Sequence, residues 1–490
     1  MTETKKTPVS TWIHIAIGLA FMFLFPMIPA ADPITPIGMK VVGIFIGLVY
    51  LWSTVDLIWP SMLALLLIAL SGYTGDVTGY AAMKLVLKEA FGNNTMVSLM
   101  FAMILFGGVS VVGCTKYFIR FLMTRKFMNR KPYVIIFMLM FTTFLVSALT
   151  HVISALLIMW PVGVGIMERI GYKKGDKVYN AVLIGTMIGT TLGQPFFPFK
   201  GAAMSVVSAY QSMSGTEVNT LSYVAVASIV GIIMMVLYVL YLRFVYRPDV
   251  ELLRNVTIEE FQREELPPMN RRQKGFMLAV AGYIILMLIP CLLPKTLPIV
   301  QLINTFNSEG LNFVFIIILM LVRENGEPLL NFKEVAAKTM NWNTYLLVAA
   351  ALYVAGGLTN DITGVKPFLI SVLQPILGNK PDLIFVLLIL MFALITTNFA
   401  NNAGMGVALL PIITAFAAQY PNVGEMALAM TMTLTVFVAI LTPAASPHAG
   451  MLFGRPDIDK KAIFQLGFPF CLMGLLVYTF IGFPIANMLF

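Results

Sequence analysis

Ser147 to Pro161 reads SALTHVISALLIMWP, an apolar stretch interrupted by a polar cluster around His151 and closed by a proline. A second copy, Thr397 to Pro411, reads TNFANNAGMGVALLP, and Asn401 precedes Pro411 by ten residues, as His151 precedes Pro161. The pattern predicts a broken helix in duplicate. Inside a bilayer an unsatisfied backbone group costs several kcal/mol, so a helix is interrupted only where protein, ion or solute completes its hydrogen bonds. Paired interruptions in the two halves of a long hydrophobic chain therefore point to a binding site at membrane depth.

Composition makes the bilayer the right solvent to reason with. Of 490 residues, 59% are hydrophobic and 11% charged, far too apolar for a soluble domain. Apolar runs able to cross roughly 30 Å of hydrocarbon begin near Trp12, Met39, Leu57, Leu221, Phe276, Phe313 and Ile463. No small-residue cleavage site follows Pro26 and Pro29, so the first run is read as a retained helix of a multi-pass cell-membrane protein. The net charge of +9 lies in loops, where it suggests topology and contact with anionic lipid; no basic-aromatic interleaving points to nucleic acid. Lys5 and Lys6 argue for a cytoplasmic N-terminus, while the basic run from Arg120 to Lys131 conflicts with the count of crossings. Cys114, Cys291 and Cys471 lack metal-ligand spacing and are expected to be buried thiols. Trp12, Trp52 and Trp59 are expected to anchor span ends at the interface.

Further landmarks repeat at a nearly constant distance. Asn343-Thr344 follows Asn94-Thr95 by 249 residues and Gly356-Gly357 follows Gly107-Gly108 by 249; Pro411 follows Pro161 by 250, and Pro443 follows Pro195 by 248. The chain is read as two homologous halves, 1–246 and 247–490. The first holds an amphipathic surface helix at Tyr80 to Phe91, a hairpin at about 94–122, the broken helix at 133–167 and a second break at 193–201. The second opens with a charged, solvated linker at 247–274 that includes Glu259, Glu260, Glu264 and Glu265. It continues with a hairpin at about 343–376, a broken helix at 381–418 and a second break at 441–450. The glycine pairs mark either close helix packing or hairpin tips. Each second break carries prolines a few residues apart, GQPFFPFKG at Gly193 to Gly201 and LTPAASPHAG at Leu441 to Gly450, which remove donors and clash with the preceding turn.

These features together resemble the divalent anion/sodium symporter family of the ion transporter superfamily, which includes bacterial dicarboxylate carriers and sulfate or citrate relatives. The resemblance implies an all-α polytopic fold of two inverted repeats with re-entrant hairpins, divided into a scaffold and a transport domain. It also implies a homodimer working by elevator-like alternating access. The family carries Ser-Asn-Thr in each broken helix; here the second copy is Asn401-Asn402-Ala403 and the first is His151-Val152-Ile153. The resemblance places Thr397 and Asn402 on second cation-site positions and Ser147 on a first-site position, where Val152 replaces the asparagine. The family's Pro-Pro-Asn-Ala loop appears as Ser446-Pro447-His448-Ala449 and as Phe197-Pro198-Phe199-Lys200.

The residues themselves point to an anion. Ionisable side chains within a membrane are costly and functional, and two of the three histidines, with Lys200, fall at the breaks. His151, Lys200, Pro447 and His448 are candidate substrate contacts, with Asn401 and Asn402 as amide donors. Against this stand a snorkelling Lys200, a packed His151 bonded within the turn, and asparagines acting as interhelical glue. With almost no acid in the spans beyond Asp56, sodium symport ranks first, then anion exchange, then proton coupling through His151. No cofactor is expected beyond Na+ as the coupling ion. A membrane transferase lacks its nucleophile-base or carboxylate-metal constellation here, and a channel needs no duplicated breaks. The residues and the resemblance together predict a secondary active transporter of small di- or tricarboxylate-like anions.

Overall fold

Polar or proline residues divide the apolar chain into helices, and their positions set the architecture. The computed structural model describes residues 9–256, 266–443 and 445–490. Lys5, Lys6, Glu259, Glu260, Glu264 and Glu265 lie outside the described residues. In the first half the helices are α1 (Val9–Phe23), α2 (Pro36–Thr54), α3 (Ile58–Leu70), α4 (Gly79–Gly92), α5 (Asn94–Val111) and α6 (Thr115–Met123). They continue with α7 (Pro132–Leu149), α8 (Val152–Arg169), α9 (Lys177–Gly193), α10 (Gly201–Ser214) and α11 (Thr220–Tyr241). The second half runs α12 (Arg271–Leu292), α13 (Pro298–Leu321), α14 (Phe332–Thr339), α15 (Trp342–Thr359), α16 (Val365–Leu377) and α17 (Asp382–Thr397). It closes with α18 (Asn402–Phe416), α19 (Glu425–Thr435), α20 (Pro447–Gly454), α21 (Lys460–Val477) and α22 (Phe483–Leu489). Among the described residues ten helices are long and apolar enough to cross a membrane, or eleven if the bent pair α16 and α17 counts as one span.

Local chemistry explains several boundaries. Asp56, the one acid among the early spans, sits just before α3 and accepts from the Leu57 and Ile58 amides at 2.6 and 3.2 Å. Helix α4 buries Ala82, Val86 and Ala90 at four-residue spacing and leaves Lys84 and Lys88 exposed, the amphipathic surface helix expected from its sequence. The glycine pairs lie inside helices. A Cβ on Gly108 would fall 2.1 Å from the Phe276 ring of α12, and one on Gly357 3.0 Å from Val41 of α2. They permit close packing, and the chain turns after α5 at Gly113, whose φ is +79°.

Pairing is reciprocal between the halves. Helix α5 packs against α12, α13 and α14, while α15 packs against α2 and α3. The loop after α20 ties back to the first half: Asp457 accepts from Arg455 Nη2 at 2.5 Å and from the Tyr179 hydroxyl at 2.8 Å, with the Arg455 guanidinium 4.8 Å above the Trp160 ring.

The most extensive helix pair is α7 with α9. Gly185, Gly189 and Gly193 form a four-residue stripe on α9, and a Cβ at Gly189 or Gly193 would stand 2.2 Å from the Met140 carbonyl oxygen or 2.1 Å from that of Phe144. Backbone meets backbone there, so nothing flexible can yield. Gly189→Ala is expected to destabilise the protein by about 1–3 kcal/mol through overpacking, seen as a lower Tm and a reduced monodisperse yield in detergent; an unchanged Tm would contradict this packing.

Three expectations need correcting. Trp52 is only 6% exposed and donates its indole N–H to Ser61 Oγ at 2.9 Å, so it is a packed residue facing α18 at Gly404, not an interfacial anchor. The early part of the linker is not simply solvated: Leu253 and Val256 are buried, and the Val256 carbonyl accepts from the Arg130 amide at 3.2 Å. Apolar side chains set between charged ones hold it down. Of the cysteines, Cys114 and Cys471 are buried, whereas Cys291 is half-buried and lines a cavity.

Candidate functional site

A helix leaves its last carbonyls without intrahelical partners, and in an apolar interior each needs one. Helix α7 stops at Leu149. The Val146 carbonyl accepts from the Thr150 amide at 2.8 Å and from its hydroxyl at 2.7 Å. The next two carbonyls go to a residue about fifty positions on: Lys200 Nζ donates to Ser147 O at 3.0 Å and to Ala148 O at 2.7 Å. Its ammonium also lies 5.5 Å from the centre of the Phe106 ring. The Ser147 hydroxyl is turned away, donating to the Thr190 carbonyl at 3.0 Å. His151 then opens α8, its Nδ1 accepting from the Ile153 amide at 3.3 Å.

The second break solves the same problem with amides. Asn398 Nδ2 donates to Leu394 O at 2.8 Å, the Asn398 amide to Ile395 O at 3.2 Å, and the Phe399 amide to Thr396 O at 3.0 Å. The Asn398 side-chain oxygen accepts from the Leu441 amide at 2.9 Å, and its carbonyl accepts from the Thr442 hydroxyl, which fastens this break to the next one. Asn401 opens α18 by accepting from the Gly404 amide at 3.1 Å.

Asn402 is 4% exposed, and its side-chain oxygen is placed 3.0 Å from Thr397 Oγ1 while its Nδ2 has no partner among the described residues. That hydroxyl has one proton, and at 2.6 Å the Val436 carbonyl is its better acceptor. One proton cannot fully serve both acceptors, so the buried Asn402 amide is under-satisfied, and exchanging its oxygen and nitrogen, two atoms of nearly equal size that only hydrogen bonding tells apart, would turn the NH2 group to Thr397 and free the oxygen. A buried amide oxygen with no donor is a fit ligand for a small hard cation.

The breaks are brought together by crossing over. Helix α10, which follows the first half's second break, packs on α18 of the other half, with Val206 against Gly406. Helix α20, which follows the second half's second break, packs on α8. His448, on α20, is 1% exposed, neither of its ring nitrogens has a partner among the described residues, and it lies close enough to His151 for the two to interact electrostatically. His151 and Lys200 interact in the same way. Pro447 occupies the first turn of α20, exposed beside buried His448, and the Ser446 hydroxyl caps that helix by accepting from the Ala449 amide at 3.1 Å. Four helices thus begin at these breaks, and no Asp or Glu occurs in any of the four connecting stretches. A cavity of about 1100 Å³ is lined by Pro198 and Phe199 together with Glu89, Glu217 and Glu309, but by none of His151, Lys200, Asn401, Asn402, Pro447 or His448.

The family described as sodium:sulfate symporter transmembrane region matches this chain over residues 9–490. The chain belongs to that family. A relative within reach of this symporter-family chain is the sodium-dependent dicarboxylate transporter SdcS of Staphylococcus saprophyticus, 23% identical over 67% of this chain and 64% of that protein. The Na(+)/dicarboxylate cotransporter 3 of Rattus norvegicus is 28% identical over 31% of this chain and 25% of that protein. The citrate/succinate antiporter of Escherichia coli is 24% identical over 37% and 38%. The match therefore spans less than two thirds of the length of each of these three relatives. The Alcanivorax borkumensis YdaH transporter has a similar fold, with a TM-score of 0.55 at 15% identity, covering 83% of this chain and 89% of that one. These names are of transporters, not enzymes, and with ten candidate spans the symporter-family chain is a multi-pass plasma-membrane protein.

Reading the sequence missed Asn398, Thr190 and Val436. Asn398 stands within the quoted second copy, four residues before Asn402, and could have been found there; the other two act through backbone carbonyls, which no sequence distinguishes.

Proposed function

We propose that the protein is a secondary active transporter of small organic anions, di- or tricarboxylates, coupled to sodium. The observation carrying this is the crossed packing of α10 on α18 and of α20 on α8, helices that follow breaks holding His151, His448 and Lys200, with no carboxylate in the connecting stretches. Each helix start is worth roughly half a positive elementary charge, so this part of a low-dielectric interior favours a compact anion. His448, with two unpartnered nitrogens, and Asn401 are the proposed substrate contacts, with His151 beside them and Pro447 shaping the rim. Asn402 and Thr397 are the proposed cation ligands, through the freed amide oxygen and the hydroxyl. The names of the relatives support carboxylates as the substrate class.

In this reading the chain is two inverted repeats. The spans before each hairpin form a scaffold, and each hairpin with its broken helices forms part of a moving unit that carries the site across as a homodimer's elevator. Uptake of labelled succinate, citrate and sulfate into proteoliposomes tests it. Saturable uptake of a carboxylate is expected under an inward sodium gradient and not under choline. Uptake driven only by a pH gradient would move the coupling to His151, and the absence of saturable uptake for all three anions would overturn the reading.

A further inference from the structure

Each half has a broken helix, and the structure completes the two breaks differently, with Lys200 at the first and Asn402 left under-satisfied at the second. At the second break the terminal carbonyls of α17 are met by neutral amides, and the buried Asn402 amide keeps one end without a partner. At the first break the terminal carbonyls of α7 are met by an ammonium reaching over from the other break, at 2.7 and 3.0 Å. The C-terminal end of a helix carries partial negative charge, and two adjacent carbonyl oxygens there are what a bound monovalent cation would coordinate. The Val152 side chain has no oxygen to add, and the Ser147 hydroxyl is engaged with Thr190. Two of the three ammonium protons are on carbonyls, and the ring of Phe106 flanks the charge.

We infer that Lys200 is a tethered cation: its ammonium permanently fills the place at the first break that a mobile coupling ion would otherwise take, leaving the second break as the one position for an exchangeable cation. This goes beyond the proposed transport reading, and only its consequence for sodium rests on that reading. A fixed charge in the first half cannot be released, so one fewer cation moves per cycle, and activation by sodium is first order.

The test uses the full-length protein in detergent at constant ionic strength, with choline replaced by ammonium, methylammonium or tetramethylammonium. Wild type is expected to have the same Tm in all four. Lys200→Ala is expected to have a lower Tm in choline, largely restored by ammonium or methylammonium, which can donate to Ser147 and Ala148, but not by tetramethylammonium, which has no N–H. A Lys200→Ala protein as stable as wild type in choline, or destabilised with no response to either amine, would overturn the inference. Should Lys200→Ala fail to fold, the wild type still decides: a hyperbolic dependence of carboxylate uptake on sodium supports a single mobile cation, and a sigmoidal one refutes it. Uptake that ignores sodium altogether counts against the proposed symport alone, and Lys200→Gln in the amine series then settles the lysine's role by the same criteria.

Discussion

Asn402→Ala is expected to lower sodium-stimulated uptake between about tenfold and a hundredfold, equivalent to about 1.4–2.8 kcal/mol at 1.4 kcal/mol per decade. A single proton decides the geometry. Thr397 has one hydroxyl hydrogen for the Val436 carbonyl at 2.6 Å and the Asn402 oxygen at 3.0 Å, so the buried Asn402 amide is left incompletely satisfied. A ligand that binds only the folded state stabilises it by mass action, so sodium should raise the Tm of the wild type above its value in choline. Alanine at 402 should abolish that increment. A sodium-dependent Tm that survives Asn402→Ala would remove the amide from the cation site, whatever happened to uptake.

His448→Leu is expected to make the protein more stable and less useful. A buried polar atom without a partner costs about 1–3 kcal/mol, and His448 buries two. Leucine fits a comparable volume without that penalty, so Tm should rise, while affinity for the transported carboxylate falls about tenfold or more, about 1.4 kcal/mol. Opposed changes in stability and binding mark a group kept for its ligand. If Tm falls instead, the imidazole is part of the packing and the anion is held elsewhere.

The breaks were readable because a cluster of polar residues within an apolar run is too costly to persist in a bilayer unless the backbone there is interrupted or a solute is bound. The prolines were less informative than they looked. Helices α8 and α18 continue through Pro161 and Pro411 to Arg169 and Phe416, since one missing N–H is tolerated in a membrane helix whose neighbours re-satisfy the freed carbonyl. The interruptions are made upstream, at Thr150-His151 and at residues 398–401. Lys200 was visible as a charge out of place, but its carbonyl partners are more than fifty residues away and have no side-chain signature. Trp52 misled because its indole fits a span end as well as a packed seam, and only the neighbouring Ser61 and Gly404 decide between them. The regular spacing of Gly185, Gly189 and Gly193 was present in the sequence; what it packs against was not.

The crossed packing, α10 on α18 and α20 on α8, constrains how the protein is made. A ribosome delivers the first half to the membrane with His151 and Lys200 already inserted, well before the segments that will cover them exist. Until α20 has been synthesised, the nascent chain holds polar, half-finished turns in oil, a state that quality-control proteases are built to detect. Premature termination anywhere between α10 and α20 should thus yield no partially active fragment, and the two halves expressed separately should accumulate only when each has the other to complete it.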